Sequence, residues 1–178
     1  MEEGAPSRGA RPELIAARIC QALNAAGARY LVIGGIACIL HGYVRATTDL
    51  DVLIEQTTRN AERVLGGLAK TGYGFAREWS ARELLARPIT VIGDDPAVDV
   101  FTVAWTVEYE EAVGRSASAQ VEGVAIPFIG LDDLIASKRT GRLQDAADIE
   151  VLEEIQRALA PQGDHDNPSS ELPEAHQF

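Results

Sequence analysis

The sequence predicts an α+β fold: a mixed β-sheet flanked by helices. Three observations carry this. An apolar run, Arg29 to Ile33, ends in Gly34-Gly35 and opens into a short helix-forming stretch. A second strand-like run, Leu50 to Ile54, follows soon after. Helical stripes stand at both ends of the chain, with further strand-like segments gathered between them, which suits a sheet covered by helices.

The elements follow in order. Residues 1–10 are small and polar and are expected to form a flexible N-terminus. Pro12 suits a first helical position, and Ile15, Ile19, Leu23 and Ala26 make a helical stripe that Gly27 can end. Arg29–Ile33 reads as a buried strand, Ile36–His41 as a short helix and Leu50–Ile54 as a second strand. Thr58 is a candidate cap for a helix to about Lys70, with Ala61, Val64, Leu65 and Leu68 on one face. Tyr73–Trp79 reads as a strand and Ala81–Ala86 as a short helix. Ile89–Ile92 and Ala97–Val103 read as neighbouring strands joined by the turn Asp94-Asp95-Pro96. Gln120–Phe128 holds a strand or a hairpin around Glu122-Gly123. Leu131–Lys138 and Leu143–Leu159 read as helices, the second with an apolar stripe of Ala147, Val151, Ile155 and Leu159 at four-residue spacing. Residues 11–160 are expected to form one domain, and 161–178, with four acidic residues and no Lys or Arg, a disordered acidic tail.

Composition narrows the partners. A net charge of -11 opposes general binding of nucleic acid or an anionic membrane. Cys20 and Cys38 are far apart in apolar stretches, which gives neither metal spacing nor a disulfide framework. The start, Met-Glu-Glu-Gly, has no basic and apolar signal pattern, and no apolar run is long enough to span a bilayer. A cytoplasmic location without membrane contact is the expectation.

Chemistry concentrates at three carboxylates. Asp49 and Asp51 stand two apart, so on an extended strand they share a face. Two buried carboxylates repel each other and are costly to desolvate, and a cation removes both penalties. Hard oxygen ligands of this kind suit Mg²⁺, which is usually held by one or two carboxylates plus substrate phosphates. Asp99, among Val98, Val100 and Phe101, needs a partner: either the same metal or an arginine. Asp94 and Asp95 compete with it, but a turn explains them. Gly34-Gly35 offers backbone amides to a phosphate, or is simply a tight strand-to-helix turn. Arg45 can meet a phosphate bidentately or form an ion pair. Lys138 and Arg142 can reach phosphates or pair with Asp145 and Asp148, and Leu134 and Ile135 should draw Lys138 to the edge of the core. His41, in a loop, reads as structural.

Together these residues resemble the nucleotidyltransferase superfamily, whose fold includes DNA polymerase beta. The pattern is a strand ending in Gly-Gly or Gly-Ser, an Asp-x-Asp about a dozen residues later, and a third acid on a later strand. Here it reads Gly34-Gly35, Asp49-Leu50-Asp51 and Asp99. The small prokaryotic abortive-infection toxin-type branch is similar in more detail. It is matched by Gly34-Gly35-Ile36-Ala37, His41-Gly42, Arg45 and Thr47-Thr48-Asp49-Leu50-Asp51, and later by Leu134 to Lys138, Arg142, Asp145 and Asp148-Ile149. Two departures stand out. Many relatives carry Ser where this chain has Gly35, and branch members often carry a second, acceptor-holding domain for which little chain remains.

The resemblance implies a metal-dependent nucleotidyltransferase, moving a nucleoside monophosphate from an NTP such as ATP to an acceptor hydroxyl and releasing pyrophosphate. It implies Mg²⁺, or Mn²⁺, on Asp49, Asp51 and Asp99, with Asp99 also placed to take the acceptor proton. Gly34, Gly35, Arg45 and Lys138 would hold the nucleotide. The acceptor (tRNA, protein or small molecule) is open, and a cognate protein partner of the toxin–antitoxin kind is implied. The rival readings are a non-catalytic nucleotide-binding or antitoxin-like module and a metal-dependent phosphohydrolase.

Overall fold

The computed structural model describes residues 11–160; the expected flexible N-terminus, 1–10, and acidic tail, 161–178, lie outside the described residues. Six strands form one mixed sheet in the order β3-β4-β2-β1-β6-β5. They are β1 (Tyr30–Val32), β2 (Leu50–Ile54), β3 (Ile89–Ile92), β4 (Val98–Phe101), β5 (Ala117–Val121) and β6 (Val124–Phe128). The helices are α1 (Pro12–Ala25), α2 (Gly34–Leu40), α3 (Thr58–Leu68), α4 (Ala81–Leu85), α5 (Tyr109–Ala112), α6 (Leu131–Ser137) and α7 (Leu143–Leu159). The expected α+β architecture is the one observed.

Alternation along the strands divides the apolar residues between two layers. Leu50, Val52 and Ile54 of β2 join Val98 and Val100 of β4 in one core, with α1 (Ile19, Leu23), α3 (Val64, Leu68) and α4 (Leu84). Leu31, Leu53 and Ile129 join a second core with Leu134 and Ile135 of α6 and Leu152 of α7. Helices therefore cover both faces of the sheet, which explains why β2 reads as a continuous apolar run broken only by Asp51.

β1 runs antiparallel to β2, and β2 runs parallel to β4. The C-terminal end of β1 and the N-terminal ends of β2 and β4 therefore lie together at one edge. α2 starts at that edge, directly at Gly34, three positions after Leu31.

Local chemistry sets the helix ends. Pro12 begins α1, and Gly27, with φ +66°, takes the left-handed conformation just beyond its end. Thr57, one residue before the expected cap, accepts the Asn60 amide at the start of α3. Ser80 and Glu83 form a reciprocal capping box on α4.

Three expectations need correction. Tyr73–Trp79 is not a strand: Phe75–Glu78 is a 3-10 turn. Gly72 and Gly74 have φ of +50° and +76°, and the Asp94 carboxylate accepts the amides of Tyr73, Gly74 and Phe75, which bends the segment out of any ladder. Asp94 thus has a structural task. Second, α5 and the 3-10 turn after it occupy a stretch to which the sequence reading gave no element. Third, α7 does not bury the Ala147–Leu159 stripe. Ala147 and Leu159 are exposed, and the inward residues are Asp145, Asp148 and Leu152. Among the described residues no helix is long and apolar enough to cross a membrane.

Candidate active site

One cavity of about 580 Å³ opens at the edge where β1, β2 and β4 meet, a size within the range of small-molecule sites. Asp49, Asp51 and Asp99 all line it, as do Gly34, Gly35, Arg45, Lys138 and Arg142. Every residue expected to act on metal or nucleotide is therefore brought to one place. His41 is not: its Nε2 lies 2.8 Å from the Ile129 carbonyl, and its ring meets Phe128 edge-on at 4.9 Å. That is the structural role expected of it.

The carboxylates are placed by strand register. Asp51 and Asp99 are cross-strand partners in the β2–β4 pair, so their side chains stand side by side on one face. Asp49 lies one residue before β2 begins, on exposed backbone instead of in the strand itself. It accepts a hydrogen bond from the Thr48 hydroxyl at 3.1 Å.

Electrostatically this end is uncompensated. Among the described residues no Lys, Arg or His forms an ion pair with any of the three. Burial pushes the Asp51 carboxyl up to about 7, and the charges of Asp99 and Asp49 push the same way. The Gly35 amide and Lys138 act against this without cancelling it. The Asp99 carboxyl is also raised, first by burial and then by Asp49. Among the described residues, no three potential ligands stand close enough to make a ready coordination cage. Mg²⁺ is usually held by only one or two carboxylates, with water and substrate phosphates completing its shell. The donor set, hard oxygen atoms with surplus negative charge facing a cavity, fits such an ion.

The two glycines have reasons within the chain. Gly34 has φ +61°, and a Cβ there would lie 1.8 Å from Asp51 Oδ2. Only glycine satisfies both the conformation and the approach. A Cβ on Gly35 would lie 2.6 Å from Thr47 Oγ1, so Thr47 fills the space that a serine at position 35 would need. The turn thus brings Asp51 against the start of α2, and Thr47 into the cavity wall. Thr47 belongs to the quoted motif, but sequence reasoning assigned it no role.

The cationic wall is built differently. Lys138, at the C-terminus of α6, is only 7 % exposed. Its Nζ lies 2.7 Å from Asp148 Oδ2 and 3.6 Å from Asp145 Oδ1. Arg45 also donates to Asp148 Oδ2. Arg142 Nε lies 2.7 Å from Asp145 Oδ2, which Thr140 also engages. Burial works to raise the Asp145 carboxyl, but the hydrogen bonds from Thr140 and Arg142 outweigh it and hold it below its ordinary range. The cations line the cavity, and each pairs with an acid of α7, the ion-pair alternative read from the sequence. Buried cations need counter-charges, so α7 turns its acid-bearing face inward. The spacing Asp145, Asp148, Leu152 was the available signal for that face.

No protein-family model matches the chain, and no curated protein matches it. Solved structures do. An antigenic nucleotidyltransferase-like protein from Paracoccidioides brasiliensis superposes with a TM-score of 0.54, over 82% of this chain and 75% of its own, at 14% identity. A provisionally named nucleotidyltransferase from Thermotoga maritima gives a TM-score of 0.48, over 84% of this chain and 94% of its own, at 13% identity.

Proposed function

The fold is nucleotidyltransferase-like, and from that premise we propose that the chain is a metal-dependent nucleotidyltransferase. It would move a nucleoside monophosphate from an NTP to an acceptor hydroxyl, with release of pyrophosphate. The observation that carries this is the side-by-side pair Asp51 and Asp99, with Asp49 beside them, unpaired by any cation of the described chain and facing one cavity.

Asp49, Asp51 and Asp99 would hold Mg²⁺ or Mn²⁺. That ion, when bound with nucleotide, supplies positive charge to the attacking and leaving oxygens of an in-line displacement. The remaining work belongs to the chain. Asp99 would accept the proton of the acceptor hydroxyl. The Gly34-Gly35 turn lets the triphosphate approach the backbone. Lys138 and Arg45, held in place by Asp148, would present positive charge to it. The finer likeness to the toxin-type branch, with its cognate protein partner, rests on the motif residues and belongs to this proposal.

A second reading has one observation in its favour. Asp148 already engages both Lys138 and Arg45, as in a site that binds nucleotide without turning it over. Labelled ATP incubated with Mg²⁺ and cell extract as the acceptor source separates the readings. Pyrophosphate release that requires Asp51 supports transfer. Inorganic phosphate release supports a phosphohydrolase. Stabilisation by MgATP without either product leaves the non-catalytic module.

A further inference from the structure

Besides the three carboxylates and the cationic wall, the cavity has an apolar part. Phe101 stands two residues after Asp99 on the same face of β4, and Ile89 of β3 is its cross-strand partner. Pro88, Val103 and Trp105 extend this apolar wall. Trp105 sits in a tight turn: Ala104 donates to the Val107 carbonyl at 2.9 Å, and Val107 donates to the Ala104 carbonyl at 3.0 Å.

Trp105 is held against its own preferences. Its φ of 60° is in the left-handed region, uncommon for a bulky L side chain. Trp105 is 57% exposed while forming part of the cavity wall. Strained backbone of this kind, where it occurs beside a cavity, is commonly tied to ligand contact. An exposed indole presents a large flat face that any aromatic ring can stack on. Apart from the indole N–H, the side chains of this wall carry no hydrogen-bonding group.

We propose that Trp105 is the stacking platform for the base of the bound nucleoside triphosphate. The apolar wall offers the base a face to stack on and no side chain that hydrogen-bonds its edges apart from the indole N–H, so this wall accepts adenine and guanine alike. This rests on the nucleotide reading above, because the carboxylate part must take the triphosphate for the base to reach the apolar part.

The chain has two tryptophans, so Trp79→Phe leaves Trp105 as the only indole reporter. In that variant, ATP and GTP with Mg²⁺ should quench the fluorescence with dissociation constants within about threefold of each other, and tripolyphosphate should not. By calorimetry, Trp105→Gly should weaken ATP and GTP about tenfold or more, the scale of one base–aromatic stack. It should leave tripolyphosphate affinity unchanged. Trp105→Phe should keep most of the affinity. Because glycine adopts the turn without strain, Trp105→Gly should also melt no lower than wild type, which separates lost stacking from lost folding. ATP binding without quenching, or with equal affinity in Trp105→Gly, would overturn the platform while leaving the nucleotide reading in place. A tenfold preference between ATP and GTP would overturn edge-blind reading. Failure of both ATP and tripolyphosphate to bind wild type would remove the nucleotide reading, and this inference with it.

Discussion

Two clusters of charge line the cavity, and they are built on opposite principles. At the β2–β4 edge, Asp49, Asp51 and Asp99 repel one another and have no cationic partner among the described residues. At the α6–α7 end, Lys138, Arg45 and Arg142 are matched by Asp145 and Asp148. Buried charge is tolerated when it is paired and costs stability when it is not. The paired cluster therefore accounts for itself as architecture. The unpaired one is relieved in part by a proton on Asp51, whose carboxyl is pushed up to about 7, and a cation bound there would relieve it further.

This contrast can be broken by substitution. Asp51→Asn and Asp99→Asn should each lower nucleotidyl transfer by roughly a hundred- to a thousandfold, the scale of losing one charge-stabilising group, while circular dichroism stays native. Wild-type turnover in Asp99→Asn would show that the third acid was misassigned.

Asp148→Ala should affect stability first. It leaves Lys138 and Arg45 without their shared counter-charge, and breaking a buried pair costs about 3–5 kcal/mol. Urea denaturation measures this, and a loss under about 1 kcal/mol would mean that the cluster is wetter than its burial indicates.

The third test uses pH. The Asp51 carboxyl moves from an ordinary 3.8 to about 7 in the folded, metal-free chain. Between those values the folded state keeps the proton and the unfolded state releases it. Stability is therefore present at low pH, falls as pH rises through this window, and is lowest above 7. Asp51→Asn removes the dependence. The metal-free variant should match wild type near pH 4 and exceed it at pH 8 by roughly 1–3 kcal/mol. A difference that does not vary with pH would contradict the burial of Asp51, and Mg²⁺ with NTP should narrow the gap by stabilising wild type alone.

The smallest effect belongs to Arg142→Ala. Its side chain is 76% exposed, so its pair with Asp145 is worth under about 1 kcal/mol. A larger loss in thermal melting would make Arg142 part of the buried network.

The sequence by itself determined much of this. Apolar runs, glycines and helical stripes specify most elements, because each is a local property of a few neighbouring residues. Asp51 and Asp99 were legible as candidates, since a carboxylate inside an apolar strand demands a partner wherever the strand lies, and Asp49 was legible by its spacing from Asp51, although it stands just before the strand. Tertiary structure decided the rest. Register placed Asp51 beside Asp99, and no local rule specifies which residue of a distant strand stands opposite. The inward face of α7 was set by buried cations more than a hundred positions away at Arg45, against the helix's own apolar stripe. Asp94 bent Tyr73–Trp79 through hydrogen bonds from about twenty residues further on. Trp105 acquired its place in the cavity through a strained turn that its residue type does not favour. For α7 and for Tyr73–Trp79 the outcome was fixed by charge or hydrogen-bond pairing between segments apart in the chain, and such pairings exist only once those segments have been brought together.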